Sequence, residues 1–288
     1  PDEMARAFTG FVARLRQGLG LGPAKGIVAV DGKRLRRGYE RGRACMPPLM
    51  ISVWDVETRL SLGAGASADG NEIEATLKAL QAVDLKGCTV TADALHCRPA
   101  MAEAIRARGG HYALKLKKNN AALYASAARA FAQAEAKGGA PFCEVSNTGH
   151  DRFERRRVSV VAAPQGASKL PGLVLFGRVE SERRKTGGRT ETHLYYVALS
   201  KRLTPRKVMD TIREHWSVEN NLHWPLDVVF REDEARTRKN HAPQNLSFIR
   251  RMALDILRAH PDNKSLSRKM KHASWSSSFF FSLFSYMR

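Results

Sequence analysis

One carboxylate, Glu219, sits in the stretch TPRKVMDTIREHWSVENNLHWPLDVVF (204–230) among His215, Trp216, Asn220 and His223. A purely structural helix would fill such a stripe with Leu, Ile and Val, so a buried-looking acid among imidazoles and indoles points to proton, metal or phosphate chemistry. On a 3.6-residue period, His215, Trp216 and His223 fall on the Glu219 side at offsets of four, three and four. Asp227, eight residues on, lies near the same face and is the alternative acid. Two further aspartates end apolar runs: Asp31 after Ile27-Val28-Ala29-Val30, and Asp93 after Cys88-Thr89-Val90-Thr91-Ala92. Three adjacent carboxylates can hold two divalent ions about 3.5–4 Å apart, a pair that activates water or a 3′ hydroxyl and steadies the leaving oxygen of a phosphodiester. Mg²⁺ suits that role because it prefers oxygen ligands and keeps waters for substrate.

Plainer readings compete with this one. Aspartate commonly opens a turn, and either Asp31 or Asp93 alone could do only that. His215, Glu219 and His223 could instead bind zinc, although HxxxExxxH lacks the HExxH spacing and no second ligand cluster accompanies it. A polar core network without catalysis is the remaining alternative.

The elements that must carry these residues can be read from the pattern. Residues 4 to 19 are helical in spacing, and a Gly/Pro break at 20–26 precedes the strand that ends on Asp31. Strands at 49–56 and 59–64, a helix at 71–82, a strand reaching Asp93, a helix at 99–108 and a strand at 111–116 follow. Three strands, helix, strand, helix, strand is the order of a ribonuclease-H-like sheet, in which the first and fourth strands are neighbours; by that analogy Asp31 and Asp93 would meet. An Ala-rich helix (121–136) leads into strands at 142–146, 157–162, 173–180 and 192–200, separated by Gly- and Lys/Arg-rich turns. Thr204 then caps a helix with Pro205 in its first turn, and Pro225 is expected to kink or end it near residues 221–224. An amphipathic helix at 244–260, with Leu246, Ile249, Met252, Leu254, Ile256 and Leu257 as its apolar face, precedes a basic terminal helix that buries FFFSLF (279–284).

Lys and Arg number 48 against 28 Asp and Glu, a net charge of +20 that favours a polyanionic partner. The basic run Arg34, Arg36, Arg37, Arg41 and Arg43 follows Asp31 directly. Cys45, Cys88, Cys97 and Cys143 form no CxxC pair and fit a reducing compartment. No charged leader and no apolar run near 18 residues is present, which argues against a membrane partner. The chain opens mid-helix in pattern and is expected to be a piece of something longer.

The blocks AVDGKRLR, SADGNEIEA, TADALHCR, YALKLKKNN, GHDRFERRRV, HLYYVALS, REHWSVENNLHWPLDVVFRED and NLSFIRRMALDIL occur in order across nearly the whole chain. Together they resemble the ISAs1 family of bacterial insertion-sequence transposases, which includes the H-repeat-associated proteins and belongs to the IS4-like DDE group. The resemblance implies an α/β, ribonuclease-H-like mixed sheet flanked by helices, with a β-rich insertion before the last acid. Its parts would be a remnant of an N-terminal helical region (1–26), the first part of the core (27–136), the insertion (137–203) and a C-terminal helical part (204–288). It implies Mg²⁺-dependent strand cleavage and strand transfer by Asp31, Asp93 and Glu219, with two Mg²⁺ ions that Mn²⁺ could replace. DNA would be met by Lys33, Arg34, Arg36, Arg37, Lys117, Asn119, His215, Trp216, Asn220 and His223. The implied partners are terminal inverted repeats and target DNA, with a homodimer as the active form, in the bacterial cytoplasm at the nucleoid. Family members usually have a longer helical region before the first acid, and usually no proline at the position of Pro225. A non-catalytic DNA-binding remnant and a stand-alone metal-dependent nuclease are the competing functions.

Overall fold

The β-branched run at 27–30 pairs as its composition requires. The computed structural model describes residues 1–38, 47–67, 70–149, 152–166, 168–185, 188 and 190–287, so Arg41 and Arg43 of the expected basic loop, and Cys45, lie outside the described residues. The chain divides into one compact unit of Pro1–Asp84 with Trp216–Arg288 and another of Leu85–His215.

In the first unit, β1 (Gly26–Arg34), β2 (Leu49–Asp55) and β3 (Leu60–Ser67) form an antiparallel meander. The register sets Ala29 opposite Trp54, Asp31 opposite Ser52 and Lys33 opposite Met50, so these residues share one face of the sheet. Ala29 and the fully buried Trp54 pack there with Val218, Leu222, Leu226 and Leu254. Met50 and Ala64 pack with Phe8 and Val12 of α1 (Asp2–Gly18) and with Phe248 of α7 (Ala242–Ala259). Each buried Val, Leu, Met or Phe among them contributes roughly 1.5–3 kcal/mol. The other face of β3 meets α2 (Glu72–Gln81), whose N-cap Asn71 accepts from the Glu74 amide. A Cβ at Gly63 would stand 2.9 Å from Val83 Cγ2, and one at Gly65 would stand 3.0 Å from the Ala75 carbonyl oxygen, so glycine lets this helix lie close to the strand.

In the second unit, β4 (Cys88–Ala92) runs parallel to β5 (His111–Leu116), with α3 (Pro99–Ala107) between them in sequence. β5 pairs antiparallel with β9 (Thr190–Leu199), and the ladder continues through β8 (Leu175–Lys185), β7 (Arg152–Ala162) and β6 (Phe142–Gly149). The β-rich segment thus bonds directly onto a core strand. Helices α4 (Ala121–Ala136) and α5 (Pro205–His215) belong to the same unit; Val208 and Met209 of α5 join the core of Val158, Val179, Val197 and Leu199. The expected fold class, α/β with a ribonuclease-H-like mixed sheet flanked by helices, holds in element order and in the pairing within each unit.

Several boundaries differ from expectation. β1 does not end on Asp31 but runs on to Arg34, because its ladder with β2 continues through Lys33 opposite Met50 and Arg34 opposite Leu49. Arg152–Arg156 and Ser181–Lys185 are strand rather than turn, and charges pair across that ladder: Arg183 donates to Glu154 at 3.0 Å, and Arg155 lies 3.5 Å from Glu144. Thr204 does cap α5, accepting from the Lys207 amide, but α5 stops at His215. A π-helical turn at Glu219–His223 and α6 (Trp224–Val228) follow, with Pro225 at the start of α6. The disturbance expected from proline is therefore a widened turn that keeps the chain helical. The terminal helix is two helices, α8 (Leu266–Trp275) and α9 (Ser277–Ser282), broken at the capping Ser276. Of FFFSLF only Phe279 and Leu283 are buried, while Phe280, Phe281 and Phe284 are exposed. No helix among the described residues is long and apolar enough to cross a membrane.

Candidate metal centre

Asp31 lies on β1 two residues before Lys33, so both side chains leave the face that the π-turn and α6 cover. The π-turn presents Glu219 and His223 to the same place. His223 Nδ1 donates to Glu219 Oε2 at 2.9 Å and stands 3.5 Å from Asp31 Oδ2. A carboxylate oxygen from each acid and a His223 ring nitrogen all lie within 4.8 Å of one another. Divalent ions bound at about 2.0–2.6 Å span the two carboxylates, and carboxylate oxygens suit Mg²⁺ or Mn²⁺, with the imidazole orienting Glu219 and not itself binding the ion. The residues present therefore fit the implied ion.

His223 is buried, and its Nε2 meets no hydrogen-bond partner among the described residues, which assigns the ring proton to the Nδ1 that faces the carboxylates. The Glu219 side chain is 55 % exposed rather than buried, so it opens to solvent and substrate. The hydrogen bond from His223 holds its carboxyl below the usual glutamate range, against partial burial and with help from the charges of His223 and Lys33. The ionised form needed to bind a cation is favoured.

One step along the same face, Lys33 Nζ lies 2.8 Å from Asp227 Oδ1 and donates to Asp233 Oδ1 at 2.7 Å. Asp227 is thus engaged by a lysine, while Glu219 faces Asp31. Burial raises the Asp227 carboxyl above its usual range; Lys33 opposes this, and Asp233 and Glu232 add to it. Beneath them Glu232 and Arg251 form an ion pair with no side-chain exposure on either partner. Ser247 Oγ donates to Glu232 at 2.6 Å, Arg251 donates to Ser247, and Arg251 Nε donates to Ser52 Oγ at 3.4 Å, opposite Asp31 on the sheet.

The expected site residues belong to both units. Asp31, Glu219 and His223 come together, and Asn220 and Trp216 are exposed beside Glu219 in sequence, with Trp216 at 59 %. Lys33 is buried in its ion pairs and does not project to a surface where a phosphate would meet it. Arg36 and Arg37 are exposed; Arg36 pairs with Asp233 at 3.2 Å, and Arg34 donates to the Pro47 carbonyl. In the second unit Asp93 follows β4 and has Lys115 at 3.8 Å. His215 Nδ1 is 3.0 Å from Thr91 Oγ1, and the cluster that forms holds Asp31 in the place a zinc arrangement gave to His215. Lys117 and Asn119 are exposed, and Asn119 donates to the Ala94 carbonyl.

Asp233, Glu232, Ser247 and Arg251 were missed as a group. Their signal was present: Ser247, Arg251 and Asp255 recur every four residues in α7 and are all buried, whereas Ile249, assigned to the apolar face, is 51 % exposed.

A family model described as Transposase DDE domain matches residues 22–256. YbfL of Escherichia coli strain K12 is 32% identical over 272 residues, covering 87% of this chain and 69% of that protein. The H repeat-associated protein YhhI of the same strain matches with the same figures. YncI of E. coli O157:H7 is 29% identical over 267 residues, covering 85% of this chain and 65% of that protein. Among solved structures, a piggyBac transposase in a synaptic complex with hairpin DNA aligns with 95% of this chain and 55% of that chain, at a TM-score of 0.49 and 11% identity, a slight likeness.

Proposed function

As the chain belongs to the transposase DDE domain family, we propose that it cleaves DNA strands at the ends of an insertion sequence and transfers the 3′ end to target DNA. The observation that carries this reading is the approach of Asp31, Glu219 and His223 on one sheet face. Asp31 and Glu219 are the acids that hold the ion, and Asp93 is the third acid, on the strength of its place at the end of the fourth strand. A bound divalent pair supplies the Lewis acidity that activates the attacking oxygen and steadies the leaving one. The residues of this chain orient and charge the site. His223 fixes Glu219 by its Nδ1 proton, and Lys33 offsets the negative charge that Asp227 and Asp233 bring close to it. Asn220, Trp216 and Arg36 are exposed and are the side chains that would meet the strand. Terminal inverted repeats and target DNA are the partners of this reading, and a homodimer is its active form.

The test is Mg²⁺-dependent nicking of a duplex that carries the terminal repeats. Asp31→Asn, Asp93→Asn and Glu219→Gln should each lose activity on the order of 10²-fold or more, the scale for removing one electrostatic group from a transition state. Asp227→Asn should retain most of it. Nicking by Glu219→Gln at the wild-type rate, with loss confined to Asp227→Asn, would transfer the role to Asp227.

A further inference from the structure

We propose that the cleft between the β2–β3 turn and the C-terminal end of α7 is a phosphate-binding subsite that holds the nucleic-acid backbone beside Glu219. The inference rests on the DNA-cleaving reading above. The cleft, about 430 Å³ in volume, is lined by Thr58, Arg59, Asn220, Asn221, Trp224 and Arg258 among others, with no carboxylate among its described lining residues. Two guanidinium groups, two amides and an indole make a wall rich in hydrogen-bond donors, the chemistry that recognises a phosphate oxygen. Asn220 and Asn221 follow Glu219 directly, so a strand held here runs past the metal centre.

Among the described residues the acid that acts on this positive charge is Asp255, which does not line the cleft. Arg258 stacks over Trp54, with its guanidinium carbon 5.0 Å from the ring centroid, and donates to the Arg59 carbonyl. Burial pushes the Arg258 guanidinium down to about 10, with Asp255 opposing and the Arg59 charge adding to the fall. Asp255, the acid that opposes, is itself fully buried and pushed up to about 7 by that burial, so its negative charge is weakly held. A bound anion would relieve both arginines.

The backbone gives a second indication. Arg59 adopts a φ of 55°, a conformation that suits glycine and costs an L-residue about 1–2 kcal/mol. The turn would be easier to make with glycine, yet an exposed arginine stands there. Backbone strain of this kind clusters at ligand-binding sites.

That strain supplies the test. Arg59→Gly removes the cation, keeps the carbonyl to which Arg258 donates, and relieves the turn. Fluorescence anisotropy with a labelled duplex of unrelated sequence, read from 50 to 300 mM salt, should show roughly tenfold weaker binding, the effect of losing one charge-assisted hydrogen bond. The slope of log affinity against log salt should fall by about 0.9 for the one lost phosphate contact. Thermal melting should be unchanged or higher than wild type. Arg14→Ala, which removes an exposed charge from α1, should leave the slope as it is; an equal fall there would reduce the effect to general charge and overturn the subsite. An Arg59→Gly slope equal to wild type overturns it as well. Micromolar binding of inorganic phosphate by calorimetry, lost in Arg59→Gly, would make the cleft a site for free phosphate instead of the DNA backbone. Absence of any salt-dependent duplex binding by the wild-type chain would defeat the DNA reading itself.

Discussion

Lys33→Met separates two roles that the sequence leaves entangled. As a DNA contact, Lys33 would matter to affinity and its salt dependence. In the structure its side chain is 9 % exposed, with one carboxylate at 2.8 Å and another at 2.7 Å whose side chains are 32 % and 20 % exposed. Exposed ion pairs contribute about 0.2–1 kcal/mol, and breaking a fully buried one costs about 3–5 kcal/mol. Two pairs of intermediate exposure sharing one ammonium place the loss at roughly 2–4 kcal/mol. Methionine keeps the aliphatic stem, so most of that loss is electrostatic. Its pH dependence follows from Asp227. Burial raises the folded-state value of this carboxyl, so the folded protein holds the proton more tightly than the denatured chain, and stability declines as pH rises through the window from the denatured value, about 3.9, to the raised folded one. Removing Lys33 deletes the influences that lower that value, so the window widens upward. Urea denaturation of Lys33→Met should therefore show a small penalty near pH 4 and the full one near pH 7.5. A penalty equal at both pH values would refute the electrostatic reasoning. A stability change below about 0.5 kcal/mol together with a shallower salt slope for DNA binding would restore Lys33 as a surface contact.

Arg251→Met should cost about 3–5 kcal/mol in urea denaturation because it strands Glu232 without exposure, whereas Arg251→Met with Glu232→Leu should come back to within about 1 kcal/mol of wild type; additive penalties would contradict the coupling. His223→Asn, whose amide nitrogen can stand near the Nδ1 position, should bind Mn²⁺ within about tenfold of wild type by electron paramagnetic resonance, while His223→Leu should lose about 10–100-fold, the range for removing an orienting partner. Equal affinity in both variants would show that the imidazole has no part in holding Glu219.

The strands that carry the acids were legible because β-branched runs carry a strong local signal, and β4 does stop before Asp93, but Asp31-Gly32 reads as a strand end and is instead strand interior, paired with Ser52 and Ile51. The approach of Glu219 and His223 followed from an offset of four residues, which survives the change from an α-turn to a π-turn. What was not legible depended on long-range pairing. Lys33 reads as the start of a basic loop, and only the return of the chain some two hundred residues later supplies Asp227 and Asp233. Arg155 and Arg183 read as turn residues until Glu144 and Glu154 appear across the ladder. Ser247, Arg251 and Asp255 read as the polar side of α7, yet they are its buried side, since the sheet face they meet carries Ser52 and the backbone of Ser61. Hydrophobic periodicity finds a core face only where the core is apolar.

The choice between Glu219 and Asp227 turns on a match between two periods. Along β1, Asp31 and Lys33 are two residues apart, about 6.6 Å at roughly 3.3 Å per residue. Along the covering segment, His223 and Asp227 are four residues apart, about 6 Å at 1.5 Å per residue. The two elements therefore meet in step: where His223 and Glu219 face Asp31, Asp227 faces Lys33. Pro225 lies between the two contacts, at the start of α6 where its missing N–H is least needed, and the π-turn before it ends with the Trp224 amide donating to the Glu219 carbonyl. An acid at 227 therefore meets an ammonium, and bringing it to Asp31 would require a shift of about one turn, roughly 5.4 Å, that would break its ion pair with Lys33 and carry Glu219 and His223 together away from Asp31. In this register Asp227 is the partner of Lys33, and Glu219 is the acid that clusters with Asp31.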